Sequence, residues 1–414
     1  MTFTNPNDTQ PKSISLKENI SNINLIVQGQ GVFIFKSDKN NCIFYIQDNN
    51  ETNCLKIEFN KYAVNVTRLP RNEPLVDENN KQGLINKSGA YYWVSLDYQN
   101  QRIYAGIGEP RRETHIYSYQ FYKKDKIIWE LNKTFLRSLT KINIENNSIK
   151  PLQMLRDPIT FNVPLLVKDT DDLSMYDVAR CEFLPSSNLE LTARKLYDCI
   201  SGKNFILDDN NFPDFSKAIE YSIATPGCWC NTTLINKSKE FSKDPNIKET
   251  YLRITLGRNN GESPGIPYVM EIWPIGHYSP IHNHGGSHAI IRVLHGSINV
   301  NLYPFLCPDK NEIPPFASKD FFKNDITWIS PNLNQVHQLK NHETNKNTCI
   351  TIQCYMYDEN NTRHYDYFDY LDGDDKKQQY EPDSDMNFIK FRHKMKQEWE
   401  NRSWIDSLTC MTKF

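Results

Sequence analysis

The sequence predicts a mainly β protein in two parts: an N-terminal β-sandwich, then a small β-barrel of the jelly-roll kind with helices before it and one after it. Three observations carry that expectation. Short apolar runs separated by Asn/Asp/Lys turns recur through the first 121 residues at the spacing of a sandwich. Alternating runs resume after Tyr251, and helical spacing is confined to two stretches between these regions and one near the C-terminus. A chain of 414 residues is also long for one hydrophobic core and sits comfortably at two domains.

In chain order, the first part contains Asn24–Val27, Gly31–Phe35, Cys42–Ile46 and Tyr91–Leu96 as strand candidates. Trp93 to Gly108 reads as a hairpin, with a polar turn between two apolar runs. Tyr117, Tyr119 and Phe121 alternate, as one face of a strand should, and are expected to close this domain at 1–121. Residues 122–180, broken by Pro151, Pro158 and Pro164, read as a connecting segment. Within it, Leu165–Val167 is a strand entering a turn. The third region, 181–414, opens with two helices. Leu191, Leu196, Tyr197 and Ile200 mark the first, and Phe215, Ala218 and Ile219 share a face of the second. Phe388 to Trp404 has the pattern of an amphipathic helix.

Composition narrows the function. The net charge is −2 and no long run carries one sign, which argues against a nucleic-acid or membrane-surface partner. No apolar run is long enough to span a bilayer, and MTFTNPNDTQPK lacks the pattern of a signal peptide, so a cytoplasmic location is expected. The 10 cysteines are irregularly spaced and fit a reducing compartment. Cys228 and Cys230, in a C-x-C, read as thiols near a helix end. The sequons at Asn65, Asn231 and Asn236 are what an Asn-rich chain produces by chance.

Histidine is distributed unevenly. His277, His282, His284, His288, His295, His337 and His342 crowd one region, which points to a metal site. His282 and His284 form H-x-H; on a strand, residues i and i+2 face the same side, so both imidazoles reach one ion. A turn at His295-Gly296-Ser297 follows, then the alternating Ile298, Val300 and Leu302, and later His337. Strand, H-x-H, glycine turn, strand and a later single histidine is the order of a cupin. His277, His295 and His342 are expected to be bystanders.

The stretch from Trp273 through His282-Asn-His284-Gly-Gly-Ser-His288-Ala289 to Gly296 resembles the first motif of the cysteine dioxygenases. Tyr251-Leu-Arg253 is similar to that family's Tyr-x-Arg, and Thr351-Ile-Gln353-Cys-Tyr355 falls at its Ser-x-His-x-Tyr. The resemblance covers about 180–405. The Trp93–Gly108 hairpin is similar to the domain named after farnesoic acid O-methyltransferase, a β-sandwich that points to binding or assembly with an unknown ligand or protein.

The dioxygenase resemblance implies a ferrous ion, Fe(2+), on His282, His284 and His337, and both atoms of O2 added to the sulfur of a small thiol, L-cysteine above all. No carboxylate follows H-x-H, so three neutral imidazoles leave the ion its full charge and room for substrate and O2. Arg253 would grip the substrate carboxylate with its two-pronged guanidinium. Tyr355 would present its hydroxyl to the reacting groups, and Tyr251, His288 and Gln353 would line the pocket. Thr351, Gln353 and Tyr355, two apart, are expected on one face. Two departures stand out: Ala289 replaces the cysteine that crosslinks to the pocket tyrosine in animal members, and Gln353 replaces the family's histidine. A dioxygenase for another thiol and a metal-binding cupin with a structural role remain the alternatives.

Overall fold

The computed structural model describes residues 10–17, 20–85, 87–121, 125–145, 149–159, 163–257, 267–308, 313–358 and 368–404. The chain divides into two compact units, Met1–Asn162 and Val163–Phe414.

The first unit opens with β1 (Ser13–Ser15), β2 (Asn22–Asn24), β3 (Gln30–Lys36), β4 (Asn41–Gln47) and β5 (Cys54–Asn60). β6 (Val64–Leu69), β7 (Glu73–Leu75), β8 (Tyr92–Asp97), β9 (Arg102–Ile107) and β10 (His115–Gln120) follow. Helix α1 (Lys126–Ser138), β11 (Lys141–Ile144) and β12 (Lys150–Leu155) complete it. Two antiparallel six-stranded sheets result, β1-β12-β3-β8-β9-β10 and β2-β11-β4-β5-β6-β7. Alternation in β4 and β5 turns Phe44, Ile57 and Phe59 inward, where Phe33, Phe35 and Tyr92 meet them as a ring cluster with centroids 5.3–6.5 Å apart.

The segment expected to be a connector therefore carries elements of both units. β11 lies between β2 and β4, and β12 between β1 and β3. Only four residues of β11 are strand, and β12 holds Pro151 at a register shift, where its missing N–H is tolerated. Both features hide a strand from a periodicity reading.

The second unit begins with β13 (Leu166–Lys168), α2 (Met175–Arg180) and β14 (Phe183–Pro185). Helices α3 (Leu191–Ile200), α4 (Phe215–Ala224) and α5 (Trp229–Asn236) come next. The strands are β15 (Leu252–Leu256), β16 (Tyr268–Trp273), β17 (His288–His295), β18 (Ser297–Leu302), β19 (Ala317–Phe322) and β20 (Ile326–Ile329). β21 (His337–Lys340), β22 (Cys349–Met356), β23 (Phe368–Leu371), β24 (Lys377–Tyr380), β25 (Met386–Asn387) and α6 (Phe388–Glu400) end it. An eight-stranded sheet runs β14-β13-β20-β17-β22-β16-β15-β25, with a separate three-stranded sheet β19-β18-β21. The unit is mainly β, but among the described residues the strands do not close into the expected barrel.

Side-chain alternation across the large sheet decides what faces the site. Ile254, Met270, Ile290, Ile352 and Cys354 point to the helices and bury Leu196, Ile200, Phe215, Ile219, Phe391 and Met395. The opposite face joins Trp273 and Val293 to Ile298, Val300, Leu302 and Leu339 of the small sheet. Phe215 is fully buried against the rings of Phe212, Phe388 and Phe391, so Phe215→Ala would cost about 3–5 kcal/mol. Leu191, expected on the apolar face of α3, is 68% exposed; the buried face begins at Thr192 and Ala193. α5 was not anticipated, and Cys228 and Cys230 are buried at its start. Among the described residues no helix is long and apolar enough to cross a membrane.

Candidate metal centre

His282, His284 and His337 come together, with one nitrogen from each lying within 4.8 Å of the others. Ring centroids are 4.6–4.9 Å apart. H-x-H is not inside a regular strand, as the sequence reading expected. Both histidines lie in the segment between β16 and β17, which is held extended by isolated bridges from His282 to His337 and to Tyr370. His282 and His337 exchange both backbone N–H···O bonds at 3.0 Å, which brings the third histidine, the first residue of β21, to the other two.

Hydrogen bonds fix the ring orientations. Nδ1 of His282 donates to the Pro280 carbonyl at 3.0 Å, and Nδ1 of His284 to the Gln335 carbonyl at 3.2 Å. Committing Nδ1–H to a carbonyl leaves Nε2 as the lone-pair nitrogen, the tautomer that a metal requires. Gln335, which no sequence motif marked, braces the same loop: its Oε1 accepts from Gly286 N at 2.9 Å, and its Nε2 donates to the carbonyls of Ser287 and Ser330. Burial holds all three imidazoles neutral. It pushes His282 down to about 4, against a bond to Pro280 that works the other way, and pushes His284 and His337 well below the ordinary value. Three neutral imidazoles, two of them oriented by these bonds, fit a divalent metal ion. Among the described residues, no other three His, Cys, Asp or Glu side chains come together in this way.

The pocket beside them is walled by Phe241, Tyr251, Trp273, Phe368, Tyr370 and Tyr380. Tyr251 stacks on Trp273 at 4.2 Å and 18°, and burial pushes its phenol up. Arg253 is 4% exposed and faces the same pocket. Across the β15–β16 register its direct partner is Glu271, also 4% exposed, and Nη1 of Arg253 donates to Oε1 of Glu271 at 2.6 Å. Burial works against the buried cation, but Glu271 together with Tyr380, Tyr251 and Tyr355 outweighs it and holds the guanidinium well above its usual value. Oε2 of Glu271 accepts from Nε2 of Gln353, and Oε1 of Gln353 accepts the Tyr355 hydroxyl. Nε2 of Gln353 also reaches Thr351 Oγ1 at 3.3 Å. Thr351, Gln353 and Tyr355 thus share the face of β22 turned away from the helices.

Sequence reasoning missed Glu271. Its signal is a lone acidic residue in Val-Met-Glu-Ile-Trp, in phase with Trp273 rather than with the helix-facing Met270 and Ile272. His288 is placed elsewhere. It alternates with Ala289 along β17, so it lies on the helix side, fully buried, with Nε2 2.9 Å from Asp358. Ala289 takes the inward position, directly opposite Tyr355. Of the expected bystanders, His277 bonds to the Thr250 carbonyl at 2.9 Å, and His295 lies 3.5 Å from Glu220.

Residues 238–367 match cysteine dioxygenase type I. The cysteine dioxygenase match contains both H-x-H histidines, His337, Arg253, Glu271 and Tyr355. Among solved structures, the cupin domain of Cnp3 from Schizosaccharomyces pombe is 14% identical over 26% of this chain and 65% of its own, at a TM-score of 0.20. This chain therefore spans slightly less than two thirds of that structure. The Cupin_2 domain of an XRE family transcriptional regulator from Enterobacter cloacae is 11% identical over 26% of this chain and 96% of its own, at 0.20. A cupin 2 domain-containing protein from Halorhodospira halophila is 19% identical over 33% and 74%, also at 0.20.

Proposed function

We propose that the second unit is an iron(II)-dependent thiol dioxygenase, with L-cysteine the substrate that the family match brings. The observation that carries the reading is the three-histidine centre, with no acidic ligand among the described residues, inside a cysteine dioxygenase type I match. The reaction balances without an external donor: R–SH + O2 gives R–SO2H, the sulfur losing four electrons and the dioxygen gaining four. When bound, iron(II) would supply the site where thiolate and O2 meet and the electrons they exchange.

The chain's own residues do the rest. His282, His284 and His337 would hold the ion, the first two through Nε2, because the carbonyls of Pro280 and Gln335 take their Nδ1–H and keep those rings in place. The aromatic wall excludes bulk water and limits the substrate to a small molecule. Arg253 keeps one buried donor, Nε, with no protein partner, where a carboxylate oxygen of cysteine would bind. Tyr355 stands by His284, ring to ring at 6.0 Å and 13°, close to where the sulfur would lie. The first unit is read, from its resemblance, as a binding or assembly module in the same chain.

Oxygen-electrode measurements on the iron-loaded full chain with L-cysteine test the reading. Thiol-dependent uptake of one O2 per thiol consumed supports it. Uptake absent with every small thiol would leave a metal-binding cupin without this activity.

A further inference from the structure

A second cavity lies inside the second unit and meets the aromatic pocket at His337. It sits between the eight-stranded and the three-stranded sheet, where Ile291, Val293, Ile298, Val300, Leu302 and Phe321, all buried, form its wall. About 20 Å³ of it is open to the centre of a water-sized molecule, against the roughly 10–15 Å³ that holding one such molecule takes. That admits one diatomic molecule and excludes a thiol with charged ends, whose burial against this wall would find no partner. Water needs about two to four polar partners, and polar groups at this wall are engaged elsewhere. Asn334 Nδ2 donates to the Trp328 carbonyl at 2.9 Å and Trp328 Nε1 to the Pro164 carbonyl at 3.1 Å. Asp325 Oδ2 accepts from Phe322 N at 2.8 Å. An apolar cavity of this kind stays dry and takes up apolar gases.

Its position ties it to the histidine centre. His337 and Leu339, two apart on β21, line both this cavity and the aromatic pocket. The inward row of β17 continues the connection. Ala289 packs with Tyr355, and Ile291, the next inward residue, belongs both to that cluster and to the cavity wall. Leu165 and Thr327, also at the wall, are half-buried and mark where the cavity comes nearest to solvent. We infer that this cavity holds dioxygen beside the histidine centre, giving the gas an apolar route separate from the aromatic pocket that takes the thiol. This rests on the thiol-dioxygenase reading and adds a binding site for its second reactant. Dioxygen, apolar and uncharged, gains by leaving water for an apolar wall, whereas a small amino-acid thiol does not. The two reactants then reach the centre by different routes and do not compete for one entrance.

Methyl relaxation in the metal-free full chain under rising pressures of dioxygen, a paramagnetic gas, tests it without iron or turnover. The methyls of Ile291, Ile298 and Leu302 should gain relaxation at least about twofold faster with pressure than those of Ile254 and Ile352, which are as deeply buried on the helix side of the sheet. Equal gains in the two sets overturn the inference. Val300→Phe fills the space, and in this variant, with folding checked by its thermal transition, the excess relaxation should vanish. The iron-loaded variant should show a KM for dioxygen raised at least about fivefold and an unchanged KM for L-cysteine. Should the phenylalanine prevent folding, Val300→Ala, which enlarges the space, should increase the excess relaxation instead. Unchanged excess relaxation in whichever variant folds also overturns the inference. Excess relaxation at the cavity without oxygen uptake on any thiol would sink the dioxygenase reading and leave the gas site standing. Thiol-dependent uptake with no excess relaxation would do the reverse.

Discussion

Glu271→Ala removes the counter-charge of a guanidinium that is 4% exposed, and its cost follows from the geometry. Among the described residues no other acid pairs with the Arg253 guanidinium, and the Nη1 bond at 2.6 Å is lost outright. Breaking a buried pair from one side leaves an uncompensated charge, which costs about 3–5 kcal/mol. Gln353 also loses a carboxylate partner, a further ~1 kcal/mol. At roughly 2–4 °C per kcal/mol for a unit of this size, the transition of the second unit should fall by about 8–24 °C. Differential scanning calorimetry of the full chain reads that shift. The decisive comparison is the double variant Arg253→Met/Glu271→Met, which replaces the pair by apolar side chains of similar volume. Such replacements are often neutral or stabilising by about 1–4 kcal/mol, so the double should melt above the single variant. If Glu271→Ala costs under about 1 kcal/mol, or the double variant is as damaged as the single, the pair does not carry the charge balance described.

Other outcomes follow from the same structure. His337→Ala should abolish stoichiometric iron binding, measured by metal analysis after desalting, because two imidazoles replace three. Gln335→Ala should leave the fold intact but weaken metal binding by about 10–100-fold in a chelator competition, since it frees the loop that orients His284. The metal-free protein should lose stability on acidification. His282 is held down to about 4 from 6.5, so below the ordinary value the unfolded chain binds more protons than the native one. Stability present at neutral pH is then lost between about pH 6.5 and 4, at ~1.4 kcal/mol per pH unit for each such histidine, read from denaturant midpoints. Stability that rose on acidification through that range would contradict buried neutral imidazoles.

Much of the site was legible because its residues obey local rules. Crowded histidines and a two-residue spacing marked His282, His284 and His337, and period two put Thr351, Gln353 and Tyr355 on one face of β22. What failed needed partners far away in sequence. His288 and Ala289 differ by one residue, so only the register of β17 on β22 shows that the alanine, not the histidine, meets the pocket. Glu271 is visible as an acid in an apolar strand, but its meaning depends on Arg253 lying directly opposite. The H-x-H segment is extended without being a regular strand, because its bridges come from His337 and Tyr370 and not from a neighbouring run. In the first unit, α1, β11 and β12 escaped for a similar reason: short strands and a proline at a register shift take their identity from the sheets that receive them.

The central claim is that this three-histidine pocket adds both atoms of dioxygen to the sulfur of a small thiol. Mass spectrometry of the product after incubating the iron-loaded full chain with L-cysteine under heavy-isotope dioxygen tests it most directly. The account predicts a sulfinate carrying two heavy oxygen atoms, formed with no added reductant and lost in His337→Ala. Disulfide alone, or a product whose oxygen comes from water, would contradict it.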